Sequence, residues 1–134
     1  MLKKLLLAAI VLASASAEAR HRAVPLKDPP PLTVPLGVAE ADVARAIIFA
    51  GATRQWKVTD RKPGDIVLEY APREFSVTVD VKYDAHTVNI SYVGSKNMEY
   101  EQENGMAVIH PNYNRWVNNL AHDIDSQLTI SSVK

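Results

Sequence analysis

The amino-acid sequence predicts a two-layer α+β domain in the order α-β-β-β-β-α, with the N- and C-terminal helices on one face of a four-stranded antiparallel meander. Three observations predict it. Apolar residues recur at helical spacing over 38–52 and again after residue 110. Between these segments the apolar period changes to two, which is typical of strands with one buried face. Short turns separate the alternating segments, so strands that follow one another in the chain should pair.

The first predicted helix covers residues 38–52. Glu40 and Asp42 lie in its first turn, where the positive end of the helix dipole favours carboxylates. Gly51 is expected to end the helix, because glycine favours the position after the last turn. The residues at helical spacing that form its buried stripe are Val43, Ala46, Ile47 and Ala50.

Four strands are predicted between residues 54 and 92, with a turn at 62–65 after the first and another at 84–85 after the third. Their core-facing residues are Trp56 and Val58 in the first strand, Ile66, Leu68 and Tyr70 in the second, Phe75, Val77, Val79, Val81 and Tyr83 in the third, and Val88, Ile90 and Tyr92 in the fourth. The segment 98–103 also alternates, and we expect it to extend the sheet at an edge.

The last helix is predicted to begin at His110-Pro111, because proline is well tolerated at the first helical position. Its apolar residues share one face and should lie across the sheet: Tyr113, Trp116, Val117, Leu120, Ile124 and Leu128. Burial of this stripe and of the third strand is expected to contribute most of the hydrophobic stabilisation, at about 1.5–3 kcal/mol for each fully buried large side chain.

Residues 1–17 have the features of a secretory signal peptide. Lys3 and Lys4 precede an apolar stretch over 5–13, and small residues at 15 and 17 predict cleavage before Glu18. The alternative is a retained membrane anchor, but the apolar stretch is shorter than the roughly 20 residues of a span. The chain has no cysteine, so neither a lipid anchor nor a disulfide is expected. The sequence therefore predicts a Sec-exported, soluble periplasmic protein.

The predicted domain organisation is a signal peptide (1–17), a proline-rich flexible spacer (18–37) and one α+β domain (38–134). Five of the eight prolines lie within the spacer. They restrict the backbone to extended geometry, which indicates a segment outside the core. The alternative is a proline-rich ligand for a partner domain.

The charge of the chain argues against nucleic acid as a partner. Removing the signal peptide takes away two of the fifteen basic residues and none of the fifteen acidic ones, which leaves thirteen against fifteen and a net charge of −2. A mildly acidic protein has no electrostatic attraction to phosphate backbones.

The chain resembles a family of small, uncharacterised proteobacterial periplasmic proteins and lipoproteins. The resemblance covers nearly the whole domain. Its motifs are Ala46, Ile47 and Ala50 in the first helix, Trp56, Ile90-Ser91-Tyr92, Ser95-x-Asn97-Met98-x-Tyr100, and Ile109-His110-x-x-Tyr113-Asn114-Arg115-Trp116-Val117-x-Asn119-Leu120. The absence of cysteine departs from the lipoprotein members and favours a soluble form. The resemblance implies no activity.

No catalytic residue, metal ligand or cofactor is predicted. The chain has no nucleophile elbow and no glycine-rich phosphate loop. His122, Asp123 and Asp125 form the nearest cluster of metal-ligand types, but they do not share a helix face. Glu99, Glu101 and Glu103 suggest paired carboxylates, although an edge-protecting charge row explains them as well.

The polar surface of the last helix is the predicted binding site. Its candidate residues are Asn112, Asn114, Arg115, Asn118, Asn119 and His122. Four of these are asparagines, which are poor helix formers, so another interaction should offset their cost. One interpretation is hydrogen bonding to neighbouring backbone, with Arg115 tying down the loop 95–105. The other is a recognition patch for a protein or a glycan.

The sequence thus predicts an exported, non-enzymatic binding module of the cell envelope, whose partner is an envelope protein or a cell-wall component. No membrane span is expected after cleavage, and the oligomeric state stays open. The alternatives are an enzyme that acts on an envelope polymer such as peptidoglycan, and a periplasmic metal-handling protein.

Overall fold

The computed structural model describes residues 23–133. The predicted signal peptide (1–17) and the first part of the predicted spacer (18–22) lie outside the described residues. Within 23–133 the helices are α1 (Glu40–Thr53) and α2 (Pro111–Ser131). The strands are β1 (Val24–Pro25), β2 (Leu32–Thr33), β3 (Lys57–Lys62), β4 (Asp65–Tyr70), β5 (Ser76–Tyr83), β6 (Thr87–Lys96), β7 (Glu101–Glu103) and β8 (Met106–Ile109). Neither helix has the length and apolar character of a membrane span in this part of the chain.

The strands form two antiparallel sheets, one of five strands in the order β2-β6-β5-β4-β3 and one of three strands in the order β1-β8-β7. The α+β class is therefore confirmed. The prediction of a single four-stranded sheet is wrong, because β2 joins the four consecutive strands at the edge of β6. The segment expected to extend that sheet instead forms β7, which pairs with β8 in the smaller sheet.

Alternation along the central strands places one apolar face in the core. In β5, Val77, Val79 and Val81 are fully buried, while the residues between them are only partly covered. Both helices bury their apolar stripes in the same cluster, and α1 packs against α2. The helix residues in the core are Val43, Ala44, Ala46, Ile47 and Ala50 from α1, and Tyr113, Val117, Leu120, Ala121, Ile124 and Leu128 from α2.

The end of α1 differs from the prediction. Gly51 lies inside the helix, which continues to Thr53, and the chain reverses at Gln55, whose φ of +68° is left-handed. A Cβ on Gly51 would lie 3.3 Å from the Cβ of Trp56. Gly51 is therefore required for close packing rather than for the cap. Its carbonyl accepts a hydrogen bond from the Trp56 N–H at 2.9 Å, which fixes the tryptophan at the start of β3.

The first strand of the predicted meander does not bury alternate residues. Trp56 is buried and precedes β3, whereas β3 itself is exposed throughout, including Val58 at 41%. β3 is an edge strand that pairs only with β4, and its register shifts between Val58 and Asp60. A strand with one neighbour and an irregular register does not hold a continuous face against the core.

The segment predicted as a spacer contributes to the fold from residue 23 onwards. β1 pairs with β8 and β2 pairs with β6, and Val34 is buried in the core. The N–H of Leu26 donates to Ala107, 2.9 Å away. This differs from the prediction of a flexible spacer over 18–37. Proline can occupy an edge strand, where its missing N–H does not interrupt a ladder.

Candidate functional site

The start of α2 is built by its own side chains. His110 is the N-cap residue, and its Nδ1 accepts a hydrogen bond from the N–H of Asn112 at 3.0 Å. Pro111 occupies the first helical position, as predicted. Arg115 donates to the Oδ1 of Asn112 at 2.7 Å. The hydrogen bond of Arg115 therefore lies within the helix, and does not reach the loop 95–105 as the sequence suggested.

Asn114 binds the N-terminal segment. Its Nδ2 donates to the carbonyl of Pro25, and its Oδ1 accepts from the N–H of Lys27, each at 3.0 Å. One side-chain amide thus pairs with the backbone as a neighbouring strand would. For Asn114, these contacts agree with the interpretation in which the asparagines bond to neighbouring backbone. Its amide is used within the fold, so we no longer count Asn114 among the candidate recognition residues.

Tyr113 holds the same segment through Asp28. The buried Tyr113 hydroxyl donates to one carboxylate oxygen of Asp28 at 2.6 Å, and the Tyr92 N–H donates to the other at 3.3 Å. Burial and this hydrogen bond to a carboxylate raise the pKa of Tyr113 well above its usual range. The phenol therefore stays protonated and acts as a permanent donor.

Asn118 and His122 are exposed on the outer side of α2, one turn apart. The Nδ1 of His122 lies 3.6 Å from Asp123 Oδ1. These two residues do not contact the N-terminal segment in any hydrogen bond described for 23–133. The six predicted residues thus divide among four different environments, and Asn119 alone occupies the fourth.

Asn119 lines a small recess between α2 and the strand ends. The recess has a volume of about 60 Å³, and the residues that line it are Arg54, Trp56, Tyr70, Trp116 and Asn119. The Tyr70 and Trp116 rings meet edge to face, with centroids 5.0 Å apart and planes at 89°. The Trp56 ring lies 5.4 Å from Tyr70 at 34°. Three aromatic rings therefore form one continuous wall.

A wider basin adjoins this recess and shares Trp56 and Tyr70 with it. The basin has a volume of about 530 Å³, and Gln55, Lys57 and Glu69 contribute its polar lining. We refer to the 60 Å³ inner recess and the 530 Å³ outer basin together as the aromatic cleft. Trp56 is 4% exposed and forms its floor, while Tyr70 and Trp116 are half-buried. A cleft of this size, with mixed apolar and polar lining, is suited to a small ligand or a peptide side chain.

Comparison of the chain with protein-family models, with curated proteins and with solved structures gives no match. The resemblance based on the last-helix motif stays a prediction.

An ion pair fixes the polar side of the cleft. The Nε of Arg54, just after α1, donates to Oδ2 of Asp123 on α2. This hydrogen bond from Arg54 lowers the pKa of Asp123 below its usual range, and the same contact raises the pKa of Arg54. Lys57 and Glu69 are cross-strand partners at the outer basin. Arg54 is therefore ion-paired, Lys57 and Glu69 bring one charge of each sign to the basin, and the cleft carries no large net charge.

The open face of the five-stranded sheet carries a second polar cluster. Lys82 lies 3.1 Å from a carboxylate oxygen of both Asp65 and Asp80. The other oxygen of each carboxylate is buried without a hydrogen-bond partner. Burial, and then the neighbouring Asp65 carboxyl, raise the pKa of Asp80, whereas the proximity of the Asp80 carboxyl is the main cause that lowers the pKa of Asp65. The two carboxyl groups therefore share a proton more readily than two separate aspartates would.

Metal-ligand residue types do not converge in the described part of the chain: no three His, Asp or Glu side chains come together within 23–133. The exposed glutamates of β7 lie at the edge of the smaller sheet. Glu99 has a left-handed φ of +55° before this strand. The Nδ1 of His110 is used in the helix cap.

Asn119 was among the predicted site residues, but the aromatic residues around it were not. Trp56, Tyr70 and Trp116 were assigned to the core from their spacing, and Trp56 is indeed buried there. One signal was available. Trp56 begins an apolar pattern and Tyr70 ends one, and Trp116 follows Arg115 directly in the last helix. Aromatic side chains in such positions often keep one polar or open side.

Proposed function

We propose that this chain is an exported periplasmic protein that binds an envelope protein or a cell-wall component through the aromatic cleft, and that it catalyses no reaction. The observation that carries the proposal is the cleft itself. Two half-buried rings, Tyr70 and Trp116, stand beside an amide, Asn119, that remains available at the same recess. Partly exposed aromatic residues with a few placed polar groups are typical of binding sites.

The other candidate residues support this choice by their own contacts. Asn112 and Asn114 use their side chains in hydrogen bonds to Arg115 and to the N-terminal segment. The outer surface of α2 therefore presents fewer open polar groups than the sequence suggested. The groups lining the inner recess bind by stacking and hydrogen bonding, and the guanidinium among them is already paired with Asp123. Such a lining serves recognition better than nucleophilic or acid–base chemistry.

Export is the part of the proposal that rests on residues 1–17. Two lysines, a short apolar stretch and small residues before Glu18 support cleavage by a signal peptidase. Mass spectrometry of fractionated cells tests it. We expect the periplasmic form to begin at Glu18. An uncut chain among the cytosolic proteins would contradict export.

A pull-down from periplasmic extract tests binding. The protein is expressed from its full-length sequence, tagged at the C terminus and immobilised, and Asn119→Ala is compared with Asn118→Ala. Both substitutions remove one asparagine amide from α2, but only Asn119 lines the cleft. We expect a captured partner to be lost with Asn119→Ala and retained with Asn118→Ala. Equal recovery by both variants, or recovery of nothing above background, would count against the proposal.

A further inference from the structure

We infer that the aromatic cleft binds an uncharged, N-acetylated saccharide, with sugar rings in the outer basin and one acetamido group in the inner recess. The inference rests on the proposed function, because it names the ligand class of the same cleft. It depends on four properties of the cleft: the arrangement of its rings, its polar groups, its charge balance and its two-part size.

The rings provide a stacking wall for a sugar. A pyranose ring has an apolar face of C–H groups with partial positive charge, and the face of an aromatic ring carries partial negative charge. Tyr70 and Trp116 meet at 89°, so they form a corner and not a flat platform. A corner contacts a ring on one face and a substituent on the side. This geometry suits a sugar ring that carries a substituent at its side.

The polar groups match hydroxyls and amides. Asn119 and Gln55 each offer an amide that both donates and accepts, Lys57 donates, and Glu69 accepts. A hydroxyl is also both a donor and an acceptor, so it can satisfy any of these groups. Arg54 is held in place by Asp123, which leaves its remaining N–H groups oriented before a ligand arrives.

The charge balance favours a neutral ligand. Arg54 is paired with Asp123, and Lys57 faces Glu69 across the β3–β4 ladder. A phosphate or carboxylate ligand would be attracted by the cations and repelled by the anions beside them. An ammonium ligand would be attracted by the anions and repelled by the cations. An uncharged saccharide avoids both penalties, while Asn119, Gln55, Lys57 and Glu69 serve as its hydrogen-bond partners.

The two-part size indicates the acetamido group. The outer basin, at about 530 Å³, lies in the size range of small-ligand sites. The inner recess, at about 60 Å³, holds a group of a few heavy atoms but not a sugar ring. Its lining combines aromatic rings with the Asn119 amide. A methyl group packs against the rings while the amide of the same substituent bonds to Asn119, which an unsubstituted hydroxyl cannot do.

Intrinsic fluorescence gives a specific test, because both tryptophans of the chain, Trp56 and Trp116, line this cleft. The full-length protein is purified and titrated with chitotetraose, a neutral N-acetylated tetramer, and with cellotetraose, the same β-1,4 chain without acetamido groups. We expect a saturable change with chitotetraose and an affinity about tenfold lower for cellotetraose, since one hydrogen bond and one packed methyl group are lost. This comparison needs no substitution, so it is independent of the folding of any variant.

Two variants locate the binding. Asn119→Ala, which keeps both tryptophans, should weaken chitotetraose binding about tenfold, whereas Asn118→Ala should leave it unchanged. No saturable change with chitotetraose, equal affinity for the two tetramers, or equal effects of the two substitutions would overturn the inference. A partner captured in the Asn119-dependent pull-down, together with no binding of either tetramer, would overturn the saccharide assignment and leave the proposed function standing.

Discussion

Asn114→Ala should loosen the N-terminal segment, because this one side chain makes two hydrogen bonds to the backbone at Pro25 and Lys27. A typical net hydrogen bond contributes about 0.5–1.5 kcal/mol. Both backbone partners belong to exposed residues, so water replaces part of what is lost. We therefore expect the two bonds together to contribute about 1–2 kcal/mol to the free energy of unfolding.

A matched substitution separates this contribution from helix propensity. Replacing asparagine by alanine within a helix gains about 0.5 kcal/mol whatever the contacts. Asn118→Ala, at an exposed position of the same helix, should show that gain alone. Asn114→Ala should therefore be less stable than Asn118→Ala by about 1–2 kcal/mol, although its loss relative to the unsubstituted protein is smaller.

Urea denaturation followed by tryptophan fluorescence measures the difference, and amide hydrogen exchange at Lys27 and Leu26 shows where it arises. The Lys27 N–H loses its acceptor in Asn114→Ala and should exchange faster, whereas the Leu26 N–H keeps its bond to Ala107. Equal stability of Asn114→Ala and Asn118→Ala, with unchanged exchange at Lys27, would refute the reasoning.

Three further predictions concern the packing around Gly51, a core residue and the carboxyl pair. Gly51→Ala should fail to gain the roughly 1 kcal/mol that alanine brings to a helix, since its Cβ would lie 3.3 Å from that of Trp56; a full gain in urea denaturation would contradict this. Ile124→Ala, at a fully buried position, should cost about 2–5 kcal/mol, and a loss under 1 kcal/mol would contradict its place in the core. The pKa of Asp80 is raised in the folded state. The contribution of Asp80 to the free energy of unfolding therefore falls as the pH rises from below the ordinary carboxyl pKa through the raised value. Asp80→Asn should therefore unfold at higher urea than the unsubstituted protein at pH 7, with a difference that shrinks towards pH 4; a difference that grows towards pH 4 would contradict the shared proton with Asp65.

The elements with strong local patterns were predicted well. The alternation of Val77, Val79 and Val81 placed β5 in the core, and all three valines are fully buried. The start of α2 was predicted from His110-Pro111, because the preferences for a cap and for an N-terminal proline act within a few residues. In both cases the deciding interaction lies close in the chain, so the local sequence contains it.

The N-terminal segment was predicted less well, because its partners are remote. Proline content alone indicates an extended backbone, and the segment is extended. The sequence does not show that Lys27 and Asp28 meet Asn114 and Tyr113, which lie 87 and 85 positions away. Extended chain in a spacer and extended chain in a sheet edge have the same local signature. Only the contacts distinguish them.

The candidate site shows the same division. The asparagines of α2 were recognised as an anomaly of helix propensity, and Asn114 and Asn119 each have a contact or a cavity that accounts for it. The pattern did not show that Trp56, Tyr70 and Trp116 would share one wall. These rings come from a strand start, a strand end and a helix, and their meeting depends on how α2 crosses the sheet.

Local sequence patterns were enough to predict the α+β class, the two helices and the consecutive strands β3 to β6, because apolar periodicity and turn residues act over short stretches of chain. Three features depend on long-range contacts instead: the addition of β2 and the smaller sheet, the use of Asn114 as a backbone partner, and the aromatic cleft beside Asn119. Each of these depends on groups that are remote in the chain and become neighbours only when the core closes. The free energy that selects them belongs to the packed molecule and has no counterpart in any single segment.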